Sequence, residues 1–581
     1  MGPWVNKLQK IKRSRVNRRE LLSTGIKVAA SASAGAFLVR ESRAVAQSRY
    51  EPAFPLLDRF VEQYLRDMNA PGLTLVLADS GGVQRVCAYG LDDLARRRPL
   101  NSDELFHIGS ISKSFSALCL LQLRDEGKVD LHRPISEYLP WLRFDAASRA
   151  INSHDLLTHA AALPDGPLFP ADPAFRYRAT AAPGTFFHYC NMGYDALGHL
   201  LVALDRRPLG EIIRARILAP LRMTATDPLI TLDESARIAQ SYMVALNDRP
   251  YPRFGRLAAA PPIAVSGASG CIASCARDMG AYVAMLINRG RAPVGRVASE
   301  PGFKLFSTGH IPAKEFGNDA AYGYGIAVDK IDGHTRIRHT GGMVSFASAL
   351  EVDLDAGVGV FASVNSMQGY RPRPVAEYAL RLMRACREAK ALPPLPAPAP
   401  SVQVTAASNY AASFTGAGGR TLEIVAEGDR LYLLHGATRV PLEPTIDMEN
   451  TFTVLHPDFE KFALVLSRAG ADAKGPFVEA GWGEDWYVNS GYTGPRQFEV
   501  PAEWHRYPGH YRNEDPWIGS HRVVIRHGKL WLDGVVPLEA AADGRFYLRD
   551  EPDSPEWVSF SDIVNGSAMR MCLSAATLTR V

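Results

Sequence analysis

Ser110 and Lys113 stand three residues apart in Gly109-Ser110-Ile111-Ser112-Lys113. In a helix, positions i and i+3 share a face, so the serine hydroxyl and the lysine amine can touch. A serine at the positive end of that helix is favoured as an alkoxide, and a neighbouring ammonium is depressed there. Further on, Tyr189-Cys190-Asn191 offers a phenol that could serve as base beside an ammonium, and an amide that could hold both the lysine and a substrate. His339-Thr340-Gly341-Gly342 closes a strand-like run with a glycine pair, which lets a substrate backbone approach and leaves amide N–H groups free for an oxyanion. Together these residue types make nucleophilic acyl transfer. Taken singly, each has an ordinary explanation. Ser-x-x-Lys arises by chance, Lys113 could be a solvated helix charge, Tyr189 is one of 21 tyrosines, and a lone histidine is more often structural.

The elements that must position these groups are legible around them. Pro71 to Leu77 reads as a buried strand, and Ser110 to Glu126 as a helix stopped by Gly127. Tyr194 to Leu204 is helical in pattern after the turn residues Pro183-Gly184-Thr185. Gly323 to Ile331 and Thr335 to His339 flank Asp332-Gly333, a hairpin turn pair. Helices with an antiparallel sheet make residues 50–388 an α+β domain.

A run of five prolines between Pro393 and Pro400 marks residues 389–404 as an extended linker. Beyond it the sequence repeats. Arg430-Leu431-Tyr432-Leu433 returns as Lys529-Leu530-Trp531-Leu532, and Val440-Pro441-Leu442-Glu443 as Val536-Pro537-Leu538-Glu539. Thr451-Phe452-Thr453-Val454 corresponds to Arg545-Phe546-Tyr547-Leu548. Two copies of one all-β unit, residues 405–498 and 499–581, are expected to close as small antiparallel barrels. The alternative is one continuous β-sandwich.

The order and spacing of the three motifs resemble the serine β-lactamase and penicillin-binding protein superfamily, whose pattern is S-x-x-K, Y-x-N and K/H-x-G. The flanks Leu105-Phe106-His107-Ile108-Gly109, Asp155-Leu156-Leu157-Thr158-His159 and Gly323-Tyr324-Gly325 agree, and the resemblance covers residues 55–385. Histidine in the third motif and two C-terminal barrels look most like the D-aminopeptidase branch of the class C group. Tyr189-Cys190-Asn191 and Gly270-Cys271-Ile272-Ala273-Ser274 are shared with that branch. Family VIII esterases share the catalytic domain but generally lack the barrels.

The resemblance implies Ser110 as nucleophile, Lys113 as its activator, Tyr189 as general base and Asn191 as substrate orienter. It implies an oxyanion hole from the amides of Ser110 and Gly342, with Thr340 and Gly341 lining the substrate strand. His339 stands where a lysine is usual. An aminopeptidase must also pair its substrate's ammonium, and the acidic stretch carrying Asp550, Glu551 and Asp553 is a candidate, although it also suits a solvated turn. The expected substrate is a small peptide, amide or ester. The alternatives are a carboxylesterase, a weak β-lactamase, or a non-catalytic binder of peptidoglycan fragments.

Composition narrows the rest. With 65 basic and 61 acidic residues the net charge is +4, but residues 1–46 carry ten Lys/Arg against two acids, so the remainder is slightly acidic. Nucleic-acid binding is not expected. Arg18-Arg19 before a weakly apolar run, then Ala44-Val45-Ala46, resemble a Tat export signal and imply a periplasmic or secreted bacterial protein with no stable membrane span. Seven cysteines, several in apolar runs, read as buried free thiols. No His-Glu-x-x-His occurs among the 15 histidines and no phosphate-cradling glycine loop is present, so no metal or cofactor is expected. A homodimer is compatible with these features.

Overall fold

The computed structural model describes residues 40–41, 48–146, 148–170, 175–233, 235–367, 371–398, 400–445, 448–468, 475–548 and 554–581. The export signal, apart from the backbone of Arg40 and Glu41, and the acidic residues Asp550, Glu551 and Asp553 lie outside them.

A ten-stranded antiparallel sheet organises the first domain. Its central strands run in the order Gly82–Asp93, Gly72–Asp79, Val358–Val364, Phe346–Asp353, His334–Met343, Ala327–Ile331. Every residue of Gly72–Asp79 is buried, because both faces of the sheet are covered. Leu73, Leu75 and Leu77 point into one apolar cluster, and Val76 and Ala78 into the other. Helices Phe54–Asp67 and Arg373–Arg387 supply the first cluster, and Ser112–Asp125, Asn191–Asp205 and Ala276–Ile287 the second. The hairpin at Asp332-Gly333 forms as its sequence requires, with φ of 50° and 88° at the two turn residues.

The two repeats are closed eight-stranded antiparallel barrels, not one sandwich. The first closes through Thr415 against Val488, and the second through Tyr511 against Arg580. The repeated apolar positions are the barrel interiors: Leu431, Leu433, Val440 and Leu442 in one, Leu530, Leu532, Val536 and Leu538 in the other. Closure pairs every strand edge that a two-sheet arrangement would leave open.

The proline-rich stretch is irregular and lies against the first domain, with Leu392 and Leu395 packed on the cluster that holds the Arg373–Arg387 helix. None of the seven cysteines forms a disulfide, and five of them are buried. Among the described residues, no helix is long and apolar enough to cross a membrane.

Candidate active site

Gly109–Ile111 forms a single 3₁₀ turn that runs straight into the α-helix Ser112–Asp125. The helix is buried on nearly every side, its serines included, and Lys113 is buried completely. The Lys113 Nζ donates to Ser110 Oγ at 3.0 Å, Asn191 Oδ1 at 2.7 Å and the Ser269 carbonyl at 3.0 Å. An ammonium has three N–H donors, and all three are used. Burial nonetheless pulls its pKa down to about 8, outweighing the nearby carboxylates of Asp195 and Asp165. A lysine so placed is mostly charged at neutral pH yet close to releasing its proton.

Tyr189 precedes the helix Asn191–Asp205 and is held by its neighbours. The backbone N–H of Cys190 donates to His159 Nδ1 at 3.0 Å, and the His159 ring lies 4.3 Å from the Tyr189 ring, centre to centre. Lys113 Nζ sits over the Tyr189 ring, 4.8 Å from its centroid. Asn191 opens its helix and is oriented from behind. Its Nδ2 donates to Asp165 Oδ2 at 2.7 Å, and the same carboxylate takes the Met192 N–H at 2.9 Å. Burial raises the pKa of Asp165 above the ordinary carboxylate range. Sequence reasoning passed over Asp165. Its only signal is an acid set between proline and glycine, Pro164-Asp165-Gly166-Pro167, which marks a fixed turn and says nothing of its target.

His339 lies in the strand His334–Met343 and is 1% exposed. Its Nδ1–H donates to the Thr340 carbonyl at 2.5 Å, so Nε2 accepts the Tyr322 hydroxyl at 2.8 Å. Burial, followed by the charge of Lys113, holds the imidazole pKa down at about 3, and the ring is neutral. With Tyr189, Phe316, Arg338 and Arg373 it lines a small cavity of about 130 Å³, separate from the one that Ser110 faces. Thr340 also faces this smaller cavity.

The glycine pair has a steric reason. A Cβ on Gly341 would fall 1.9 Å from the Ile108 carbonyl, and one on Gly109, at φ +53°, would fall 2.7 Å from the Gly342 carbonyl. The strand and the turn before Ser110 therefore touch backbone to backbone, which only glycine permits. That contact brings Ser110 and Gly342 to one cavity of about 640 Å³. Asn191, Asp165 and Asp195 line it too. So does a loop of the second barrel, through Asp515, Pro516, Trp517 and Ile518. This loop is pinned by its own turns, with Asn513 Oδ1 taking the Asp515 N–H at 2.6 Å and Asp515 Oδ1 the Trp517 N–H at 2.9 Å. The acidic stretch of Asp550, Glu551 and Asp553, the sequence's candidate for the substrate ammonium, lies outside the described residues. The loop that the described residues bring to the cavity lies between the first two strands of the second barrel.

Residues 57–384, more than half of the chain, match the Beta-lactamase family, and the chain belongs to that family of β-lactamase and transpeptidase-like hydrolases. It is 30% identical over 258 residues to Protein Rv1367c of Mycobacterium tuberculosis, covering 39% of this chain and 64% of that protein. It is 28% identical over 194 residues to Esterase EstB of Burkholderia gladioli, covering 29% of this chain and 49% of the esterase. The chain thus spans less than two thirds of the length of these relatives. In structure it resembles the octameric penicillin-binding protein homologue from Pyrococcus abyssi, with a TM-score of 0.54 and 22% identity over 75% of this chain and all of that one. This likeness is one of fold.

Proposed function

We propose that this protein is an exported serine hydrolase that opens amide or ester bonds through an acyl-enzyme on Ser110, with release of N-terminal D-residues as its narrower activity. The observation that carries this reading is the 3.0 Å contact between the buried Lys113 amine and Ser110 Oγ. At pH 7 a lysine of pKa about 8 is an amine roughly one time in ten. That fraction accepts the Ser110 proton as Oγ attacks the substrate carbonyl. The oxyanion forms against the amides of Ser110 and Gly342. The proton then passes to the leaving nitrogen or oxygen, by way of Lys113 and Tyr189, and water releases the acyl group by the reverse sequence. Asn191 steadies the lysine throughout.

The aminopeptidase reading draws on the acids around the cavity. A buried ammonium without a partner is strongly unfavourable, and Asp515 from the second barrel faces the same space as Ser110. Trp517 beside it shortens the cleft and favours small substrates. The esterase relative supports the second reading, an ester-cleaving enzyme with the same nucleophile. A non-catalytic binder has no use for a lysine buried against a serine. The twin arginines Arg18 and Arg19 support export to the periplasm or beyond.

A fluorophosphonate probe tests the nucleophile: the wild type becomes labelled and Ser110→Ala does not. Equal labelling of the two would sink the assignment. A panel of D- and L-amino-acid amides, short-chain esters and a chromogenic cephalosporin then assigns the substrate class.

A further inference from the structure

Glu556 belongs to the second barrel, immediately before the strand Trp557–Val564, yet one of its carboxylate oxygens is bonded to the first domain. Its Oε1 accepts the backbone N–H of Asp165 at 2.7 Å and faces His188 Nε2 at 2.9 Å. Its Oε2 accepts the Ser574 hydroxyl. Burial alone would lower the pKa of His188, but Glu556 outweighs it and raises it. The imidazole next to Tyr189 is thus held as a donor to the barrel carboxylate.

The surrounding contacts are built for this junction. Ser574 and Ala575 form a tight turn with φ of 44° and 75°, a conformation that favours glycine or asparagine and is strained for these two residues. The turn is held to Glu556's own strand, with the Ser574 N–H on the Trp557 carbonyl at 2.9 Å and the Trp557 N–H on Ser574 Oγ at 3.2 Å. A Cβ on Gly166 would fall 2.2 Å from the Ser574 carbonyl, so the barrel turn presses directly on the loop that carries Asp165.

From Glu556 the hydrogen bonds continue to the nucleophile. Asp165, fixed through its N–H, takes Asn191 Nδ2 at 2.7 Å. That choice decides which way the Asn191 amide faces, and leaves its Oδ1 against Lys113 Nζ at 2.7 Å. The reverse orientation would set an NH₂ group against an ammonium. Lys113 in turn touches Ser110 Oγ.

We propose that Glu556 of the second barrel is a positioning residue for the catalytic lysine, acting through Asp165 and Asn191, so that the barrel completes the active site. The proposal rests on the serine-hydrolase reading above. It explains why an acyl-transfer domain keeps this barrel in place.

The test is the rate of Ser110 labelling by a small fluorophosphonate, which needs no substrate ammonium. It is measured on full-length Glu556→Ala, Glu556→Gln, Asp165→Ala and the double variant, with Tm alongside. Glu556→Ala should label about tenfold more slowly, the scale set by one lost hydrogen bond in the chain. Glu556→Gln, which still offers a carbonyl to the Asp165 N–H, should recover most of that loss. Adding Glu556→Ala to Asp165→Ala should slow labelling no further, because the path is already cut. If Glu556→Ala does not fold, Glu556→Asp, shorter by one methylene, carries the same expectation. Wild-type labelling in Glu556→Ala, or fully additive losses in the double variant, would overturn the positioning role. Absence of labelling in the wild type itself would instead overturn the hydrolase reading, and this proposal with it.

Discussion

The ammonium of Lys113 lies 4.8 Å from the centre of the Tyr189 ring and meets its face, while its three N–H bonds go to Ser110, Asn191 and Ser269. On the proposed function the tyrosine contributes in two separable ways. Its π-face meets the buried charge, and its hydroxyl is the group that the proposed mechanism uses for proton transfer. Tyr189→Phe keeps the first and removes the second. Turnover should fall on the order of a hundredfold or more, the usual loss for an acid–base group, with Tm unchanged. Lys113→Ala should lose at least as much activity. Near-wild-type steady-state rates in both variants would show that the constellation is misassigned.

The pH dependence follows from Lys113. Its base form is the amine, whose population rises with pH, reaches half at a pKa of about 8 and is nearly complete one unit above it. The acylation rate, followed with the fluorophosphonate, should therefore climb about tenfold per unit below that pKa and level off above it. His339, with its pKa held at about 3, adds no limb between pH 5 and 8. The profile of His339→Gln should keep the wild-type shape, and a limb near 6.5 that disappears in this variant would contradict the neutral ring.

Penicillins and cephalosporins carry a carboxylate that relatives hold with a charged lysine at the third motif. The neutral His339 cannot replace that charge, so cephalosporin hydrolysis by the wild type should be slow. His339→Lys would supply the charge, but at a position only 1% exposed and close to Lys113. Any gain in β-lactam turnover should thus come with a Tm lowered by several degrees, since two ammonium groups would share one buried site. Efficient cephalosporin turnover by the unaltered protein, measured with a chromogenic substrate, would refute this account of His339.

Asp515 should report on the substrate amine. Asp515→Asn removes the charge while retaining the loop's shape, and should raise KM about tenfold for substrates with a free α-ammonium. For N-acylated analogues KM should stay within about twofold. A parallel rise for both kinds would mean that the loop only shapes the cleft.

Much of this protein can be read directly from the chain. Ser110 and Lys113 meet because three residues make one helical turn, and Asp332-Gly333 turns a hairpin because both positions need positive φ. Leu431, Leu433, Leu530 and Leu532 betray the two barrels, since an interior face repeats every second residue. These are local rules, and local sequence is enough to apply them.

Tertiary structure decided the rest. Nothing in the sequence places Asp165 behind Asn191, or Glu556 against Asp165 across 391 positions of chain. Nor does any pattern show that the barrel loop facing Ser110 holds Asp515 and Trp517. Such contacts depend on how whole domains pack. A carboxylate looks the same in sequence whether it meets water or the backbone of a distant loop. The pKa of Lys113 has the same origin: the residue type supplies an amine, and only its burial among folded helices brings it near neutrality.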